Sequence, residues 1–167
     1  MCGFLVAFGN KEEIKENLNS FKNSTILLSH RGPDYEKFVN FDNFLLYHSR
    51  LSIVDLSDRS NQPFVSTDGR LSLLYNGEIY NYIELKEKLK NKYNFKTSSD
   101  TEVILASYLE WGSDCLNKLD GMFSFVICDH FQNSIFFARD PFGQKPLYYF
   151  KDKSIFFISS EIKPILN

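Results

Sequence analysis

The sequence predicts an α+β sandwich of four layers, with helices lying outside two stacked antiparallel sheets. Three observations lead there. Short apolar runs with strand character occupy both halves of the chain, with helical stretches between them. In the run at 122–128, Phe123, Phe125 and Ile127 alternate with Val126 and Cys128, so both faces are apolar, whereas an antiparallel strand with one wet face would alternate with polar residues. Finally, 167 residues that are 43% hydrophobic and 16% aromatic, with 17 Phe, suffice for one dense core and leave no room for several, so residues 1–167 read as one domain.

The elements follow in order. GFLVAF at 3–8 is a short strand, and Ile14, Leu18 and Phe21 recur at helical spacing in the polar stretch behind it. Residues 36–40 and 43–49 read as a hairpin around Asp42-Asn43, and SLLYN at 72–76 is expected to continue that sheet. A helix starts near Asn81, where Asn81 and Glu84 have capping-box spacing, Tyr82, Leu85 and Leu89 share one face, and Glu84 and Lys88 stand as an i,i+4 pair. A third helix opens at Ser99 with Glu102 at the capping-box position. Its run VILASYLEW is too apolar to face water, and Gly112 ends it. The runs 122–128, 134–139, 146–150 and 155–159 are then expected as consecutive antiparallel strands.

Composition excludes several classes of function. Nineteen Lys and Arg against 21 Asp and Glu leave a net charge of −2, which gives no electrostatic footprint for nucleic acid. The Lys-rich stretch 86–96 mixes Glu with Lys and reads as a solvated helix face. No apolar run reaches the roughly 20 residues of a membrane span, no secretory signal opens the chain, and a cytoplasmic protein is expected. Cys2, Cys115 and Cys128 form neither an even disulfide framework nor a metal pair, and His30, His48 and His130 lack ligand spacing, so no metal is expected.

Chemistry concentrates at a few residues. Cys2 becomes the first residue if Met1 is trimmed. A thiol titrating near about 8.5 then sits beside an α-amine titrating near about 7.7–8.0, well matched to take its proton. The alternative is a Cys filling a strand edge. In YNGEIYNY, Asn76 offers a side-chain amide and Gly77 an unobstructed backbone N–H for a developing oxyanion, with Glu78 beside them, although Asn-Gly is also a turn signal. Arg50 carries a fork that can hold a carboxylate or serve a structural ion pair. Asp100 can complement the helix dipole as well as a cation. One cation with two anions suits a ligand bearing one carboxylate and one ammonium, an amino acid.

Seven ordered stretches carry a resemblance over nearly the whole chain: MCGF, SHRGPD at 29–34, RLSIVDLS at 50–57, YNGEIYNY at 75–82, SDTEVIL at 99–105, LDGMFSF at 119–125 and RDPFGQKPLYY at 139–149. The chain resembles the glutaminase domain of the glutamine-hydrolysing asparagine synthetase family, a class II glutamine amidotransferase with the N-terminal-nucleophile hydrolase fold. RLSIVDLS stands where the hexose-phosphate aminotransferases look like TRWATHG. The resemblance implies that Cys2 attacks the side-chain amide of L-glutamine to form a γ-glutamyl thioester, with its own amine as base. It assigns the oxyanion hole to Asn76 and Gly77, the carboxylate clamp to Arg50 and the α-amino partners to Glu78 and Asp100. It also assigns a pocket wall to the backbone of Leu51, Ile53 and Val54, and a nearby loop to Arg31–Asp34.

In that family the ammonia passes through a tunnel to a synthetase domain on the same chain, where ATP and Mg adenylate a carboxylate acceptor. No cofactor is implied for the hydrolysis itself. Nothing here matches the SGGxDS stretch that opens the synthetase domain, and the sequence reads to EIKPILN as an excised or isolated half. Three alternatives stand beside hydrolysis for asparagine formation. One is a non-catalytic glutamine-binding or regulatory module of the same fold. Another is an amidotransferase half serving a sugar or surface-polymer carboxylate acceptor. The third is a different N-terminal-nucleophile hydrolase acting on another amide.

Overall fold

In the computed structural model, which describes residues 1–167, nine strands form two antiparallel sheets. In chain order, β1 (Gly3–Phe8) leads into α1 (Lys11–Thr25), followed by a 3-10 turn at Ile26–Arg31 and the hairpin β2 (Tyr35–Asn40) and β3 (Phe44–Arg50). After a loop come the short β4 (Phe64–Val65), β5 (Leu71–Ile79), α2 (Tyr82–Leu89) and α3 (Asp100–Trp111). Strands β6 (Gly121–Asp129), β7 (Ser134–Arg139), β8 (Tyr148–Asp152) and β9 (Ile155–Ser159), with the terminal α4 (Lys163–Leu166), complete the chain. The five-stranded sheet runs β2-β3-β1-β9-β8 and the four-stranded sheet β4-β5-β6-β7. No helix is long and apolar enough to cross a membrane.

Strand alternation builds the layers. Leu5 and Ala7 of β1 and Leu45 and Tyr47 of β3 pack on Ile14 and Phe21 of α1. The intervening Phe4, Val6, Phe44 and Leu46 turn the other way, onto Leu74, Val126 and Cys128 of the second sheet. On the far side, Phe123, Phe125 and Ile127 meet Leu85 of α2 and Val103, Ile104 and Leu105 of α3. The two apolar faces of β6 thus serve two different cores, one between the sheets and one beneath the helices. Cys128 is buried in the former.

Two expectations about the sheets are corrected. Leu71–Ile79 does not extend the hairpin's sheet; it pairs with β6 and belongs to the other sheet. The last four strands are not one meander, because β7 pairs with β6 whereas β8 pairs with β9 across the sandwich. A period-two pattern reports that a strand has two buried faces but not which sheet it joins.

Two helix starts also differ in detail. Asn81 stands at the N-cap of α2, but its side chain makes no capping hydrogen bond. Its amide instead bridges the carbonyl of Lys118 and the N–H of Asp120, tying α2 to the chain entering β6. Glu84 and Lys88 form no ion pair, and Glu87 meets Lys90 at 2.6 Å. At α3, Ser99 Oγ accepts the Thr101 N–H, but the Glu102 carboxylate accepts from the Lys96 and Thr97 N–H groups and the Thr97 hydroxyl, outside a capping box. Gly112 ends α3 at φ +58°, a conformation that favours glycine.

Phe125 is fully buried under α2 and α3 and Phe131 is largely exposed in the β6–β7 turn. Phe125→Ala is expected to cost about 3–5 kcal/mol in urea unfolding, against no more than about 0.5 kcal/mol for Phe131→Ala. Equal losses would contradict the layer assignment.

Candidate active site

At one end of the sandwich a cavity of about 160 Å³ opens where several elements end together. Cys2 precedes β1, Arg50 closes β3, Asn76, Gly77 and Glu78 lie late in β5, and Asp100 is the first residue of α3. All six line the cavity, as do Leu51, Ile53 and Val54 from the loop behind β3. Asp55, Gln62, Tyr75, Met122 and Lys145 also line it and were not singled out as site residues from the sequence. Asp55 and Lys145 fall inside the matched stretches RLSIVDLS and RDPFGQKPLYY, and Met122 in LDGMFSF; Gln62 carries no local signal.

The edge of β5 explains the placement of Gly77. Strand β4 pairs only with Ser72 and Leu73, so beyond them that edge of β5 meets no strand. Backbone N–H groups of alternate residues point the same way. The Tyr75 N–H donates to Gln62 Oε1 at 2.6 Å and the Ile79 N–H to Asp100 Oδ2 at 3.1 Å. The Gly77 N–H between them points to the same side, with side chains occupied on both flanks. A Cβ at Gly77 would lie 2.2 Å from the Met122 carbonyl oxygen and 2.7 Å from the Phe123 Cα, so only glycine fits. Next to it, Asn76 Nδ2 is buried without a hydrogen-bond partner, a donor left free at the cavity wall.

Asn76 is fixed from behind. His48 is fully buried in β3, and burial pushes its imidazole down to about 4, against a weaker upward pull from the Tyr75 carbonyl. The neutral ring donates Nε2–H to that carbonyl at 3.1 Å, linking the two sheets one residue before Asn76.

Arg50, 6% exposed, donates to the carbonyls of Asp55 and Ser57 and to Asn61 Oδ1 at 2.7 Å. Every acceptor is neutral. The structural ion pair that was one alternative does not form, and the positive charge stays available to an anion in the cavity. Opposite it, the Asp100 carboxyl is pushed up by burial, against downward pulls from the Ile79 N–H, the Tyr75 hydroxyl and the Thr101 N–H. Its Oδ2 accepts from Tyr75 at 2.8 Å. A cation beside it favours the carboxylate. Asp55 is held well below the ordinary carboxylate range, because hydrogen bonds from the Ser57 N–H and from the N–H and hydroxyl of Ser98 outweigh the opposing effect of burial.

Cys2 Sγ lies 3.4 Å from the Leu51 N, which donates to it, and 3.5 Å from the Leu51 carbonyl oxygen. Burial raises its thiol pKa, while the Leu51 N–H, the chain terminus and Arg50 lower it. The Arg31 Nε donates to the Cys2 carbonyl at 3.0 Å and its Nη1 to Glu161 at 2.8 Å, placing the 31–34 loop against the residue. Cys115 and Cys128 are buried free thiols raised by burial, to about 11 for Cys115 and higher for Cys128.

The chain matches the glutamine amidotransferase domain family over residues 1–167 and belongs to it. It is 45% identical over 152 residues to a probable glutamine-hydrolysing asparagine synthetase of Schizosaccharomyces pombe, covering 89% of this chain and 26% of the relative. With a putative asparagine synthetase of Methanocaldococcus jannaschii it shares 42% over 186 residues, 99% of this chain and 35% of the relative. For asparagine synthetase 3 of Bacillus subtilis the identity is 38%, over 99% of this chain and 27% of the relative. The chain therefore spans about a quarter to a third of the length of these relatives. Among solved structures, the glutamine phosphoribosylpyrophosphate amidotransferase of B. subtilis superposes with a TM-score of 0.74 at 23% identity, over 95% of this chain and 42% of that one, and shares the two-sheet fold.

The wall next to Cys2 depends on Asp140, whose carboxylate accepts backbone N–H groups from Phe123, Phe142, Gln144 and Lys145. Together they hold it below its ordinary range against the upward push of burial. Removing it orphans four amides, so Asp140→Ala is expected to cost at least about 2 kcal/mol in urea unfolding, with Asp140→Asn in between. A neutral result for the alanine variant would contradict this.

Proposed function

We propose that this chain hydrolyses L-glutamine to L-glutamate and ammonia through a thioester on Cys2. The ammonia would serve an ATP-dependent amidation of the asparagine-synthetase type carried out by the rest of a longer protein. One observation carries the proposal: a single cavity brings together a nucleophile, two free oxyanion donors and the charges that complement an amino acid. Relatives named glutamine-hydrolysing asparagine synthetases support the coupling.

The chemistry divides among the residues. Arg50 takes the substrate α-carboxylate, for which its fork has only neutral competitors. Glu78 and Asp100 take the α-ammonium, whose positive charge favours the ionised form of Asp100 against its burial. With both ends of the amino acid held, the side-chain amide reaches Cys2.

After loss of Met1, the terminal amine of Cys2 accepts the thiol proton as sulfur bonds to the amide carbon. The oxygen gains the negative charge beside Asn76 Nδ2 and the Gly77 N–H. Collapse breaks the carbon–nitrogen bond, the amine returns the proton to the departing nitrogen, and ammonia leaves. Water, deprotonated by the same amine, cleaves the thioester and restores the thiol. ATP and Mg belong to the synthetase portion in this scheme, and the hydrolysis uses neither.

Cys2→Ala is expected to abolish ammonia release while leaving glutamine binding measurable by calorimetry. Binding without turnover by the processed parent would instead favour the non-catalytic module. The oxyanion and clamp roles separate kinetically. Asn76→Ala is expected to lower kcat about 10²–10³-fold, whereas Arg50→Met raises KM on the order of 10-fold or more with a smaller effect on kcat. Interchanged effects would refute the assignment.

A further inference from the structure

Lys145 is 7% exposed and lines the cavity with Cys2, Arg50, Glu78 and Asp100. It lies in the link between β7 and β8, which is built to hold it there. Asp140 accepts four backbone N–H groups, that of Lys145 among them at 3.0 Å, and Arg139 donates to the carbonyls of Gly143 and Lys145. The negative charge nearest in sequence is thus committed to backbone amides. The Lys145 ammonium reaches no carboxylate; its one hydrogen bond goes to the Met1 thioether at 3.1 Å. A thioether is a weak acceptor. A buried ammonium without an anion is costly, and such groups cluster where their charge is used.

Loss of Met1 leaves Lys145 facing the new terminus. The Met1 sulfur is five bonds from the Cys2 nitrogen, so the Lys145 Nζ lies no more than about 10 Å from that nitrogen even at full extension. From this geometry we infer that Lys145 is a positioning residue for the hydrolysis proposed above. Its charge, acting through Cys2, keeps the terminal amine unprotonated near neutral pH and able to accept the thiol proton.

The surrounding charges show why a cation is needed. Asp55 from the loop after β3, Glu78 on β5 and Asp100 on α3 all line the cavity and favour a protonated amine. Tyr75 on β5 is a neutral phenol that donates to Asp100. Arg31, from the 3-10 turn, is paired with Glu161, and Arg50 is neutralised by the substrate carboxylate. Lys145 is the remaining cation. Without it both the amine and the thiol hold their protons to higher pH.

The test uses processed protein beginning at Cys2, as parent, Lys145→Met, Lys145→Gln and Lys145→Arg, each checked for unchanged thermal unfolding. Alkylation of Cys2 by iodoacetamide is followed against pH on the N-terminal peptide, with the buried Cys115 and Cys128 as unreactive internal references. Ammonia release from glutamine is followed over the same range. The acid-side midpoint of both profiles is expected to rise by about one pH unit in the neutral variants, with the rate recovered at high pH, and to stay at the parental value in Lys145→Arg. An unchanged midpoint in a folded neutral variant, or a loss by the same factor at every pH, overturns the inference. An alkylation midpoint that shifts in the neutral variants, together with a parent that releases no ammonia, refutes glutamine hydrolysis but leaves the effect of Lys145 on the Cys2 amine and thiol standing.

Discussion

The site depends on a stretch of sheet edge left without a neighbour. Strand β4 is two residues long, and past it β5 continues with one row of backbone N–H groups facing no strand. An open edge inside a protein has to be satisfied or used. Gln62 and Asp100 satisfy two of its positions, at Tyr75 and Ile79, and the position between them is the one the proposed hydrolysis uses. The close crossing of Gly77 over Met122 and Phe123 follows from the same arrangement, since β5 must stay against β6 while its other edge forms the cavity wall.

Much of this fold is legible in the sequence, and the reasons are particular. Phe4, Val6, Phe125 and Val126 declare strands with two dry faces, and Ile14 and Phe21 declare a helix with one. What local pattern does not contain is which of two equivalent sheets a strand joins. Hence neither the sheet that SLLYN at 72–76 joins nor the crossing between sheets from β7 to β8 is legible in the local pattern. Asn81 and Glu102 have capping-box spacing, but each side chain finds a tertiary partner instead, and residue spacing carries no information about such partners.

The site shows the same division. Cys2, Asn76 and Gly77 announce themselves by chemistry and position, and the resemblance supplies Arg50, Glu78 and Asp100 with roles that composition alone left open. Gln62 was invisible, because a glutamine that satisfies one backbone N–H of a distant strand leaves no pattern in its own neighbourhood. Lys145 was visible only as part of a matched stretch. Its meaning comes from what Asp140 does with its charge, a fact of three-dimensional arrangement.

His48 joins the two sheets through an imidazole that burial keeps uncharged down to about pH 4. In the proposed hydrolysis the Cys2 thiol and amine, by contrast, gain and lose protons in every turnover. The rivet behind Asn76 is therefore electrically silent near neutral pH, and adds no changing charge of its own to the chamber in front of it.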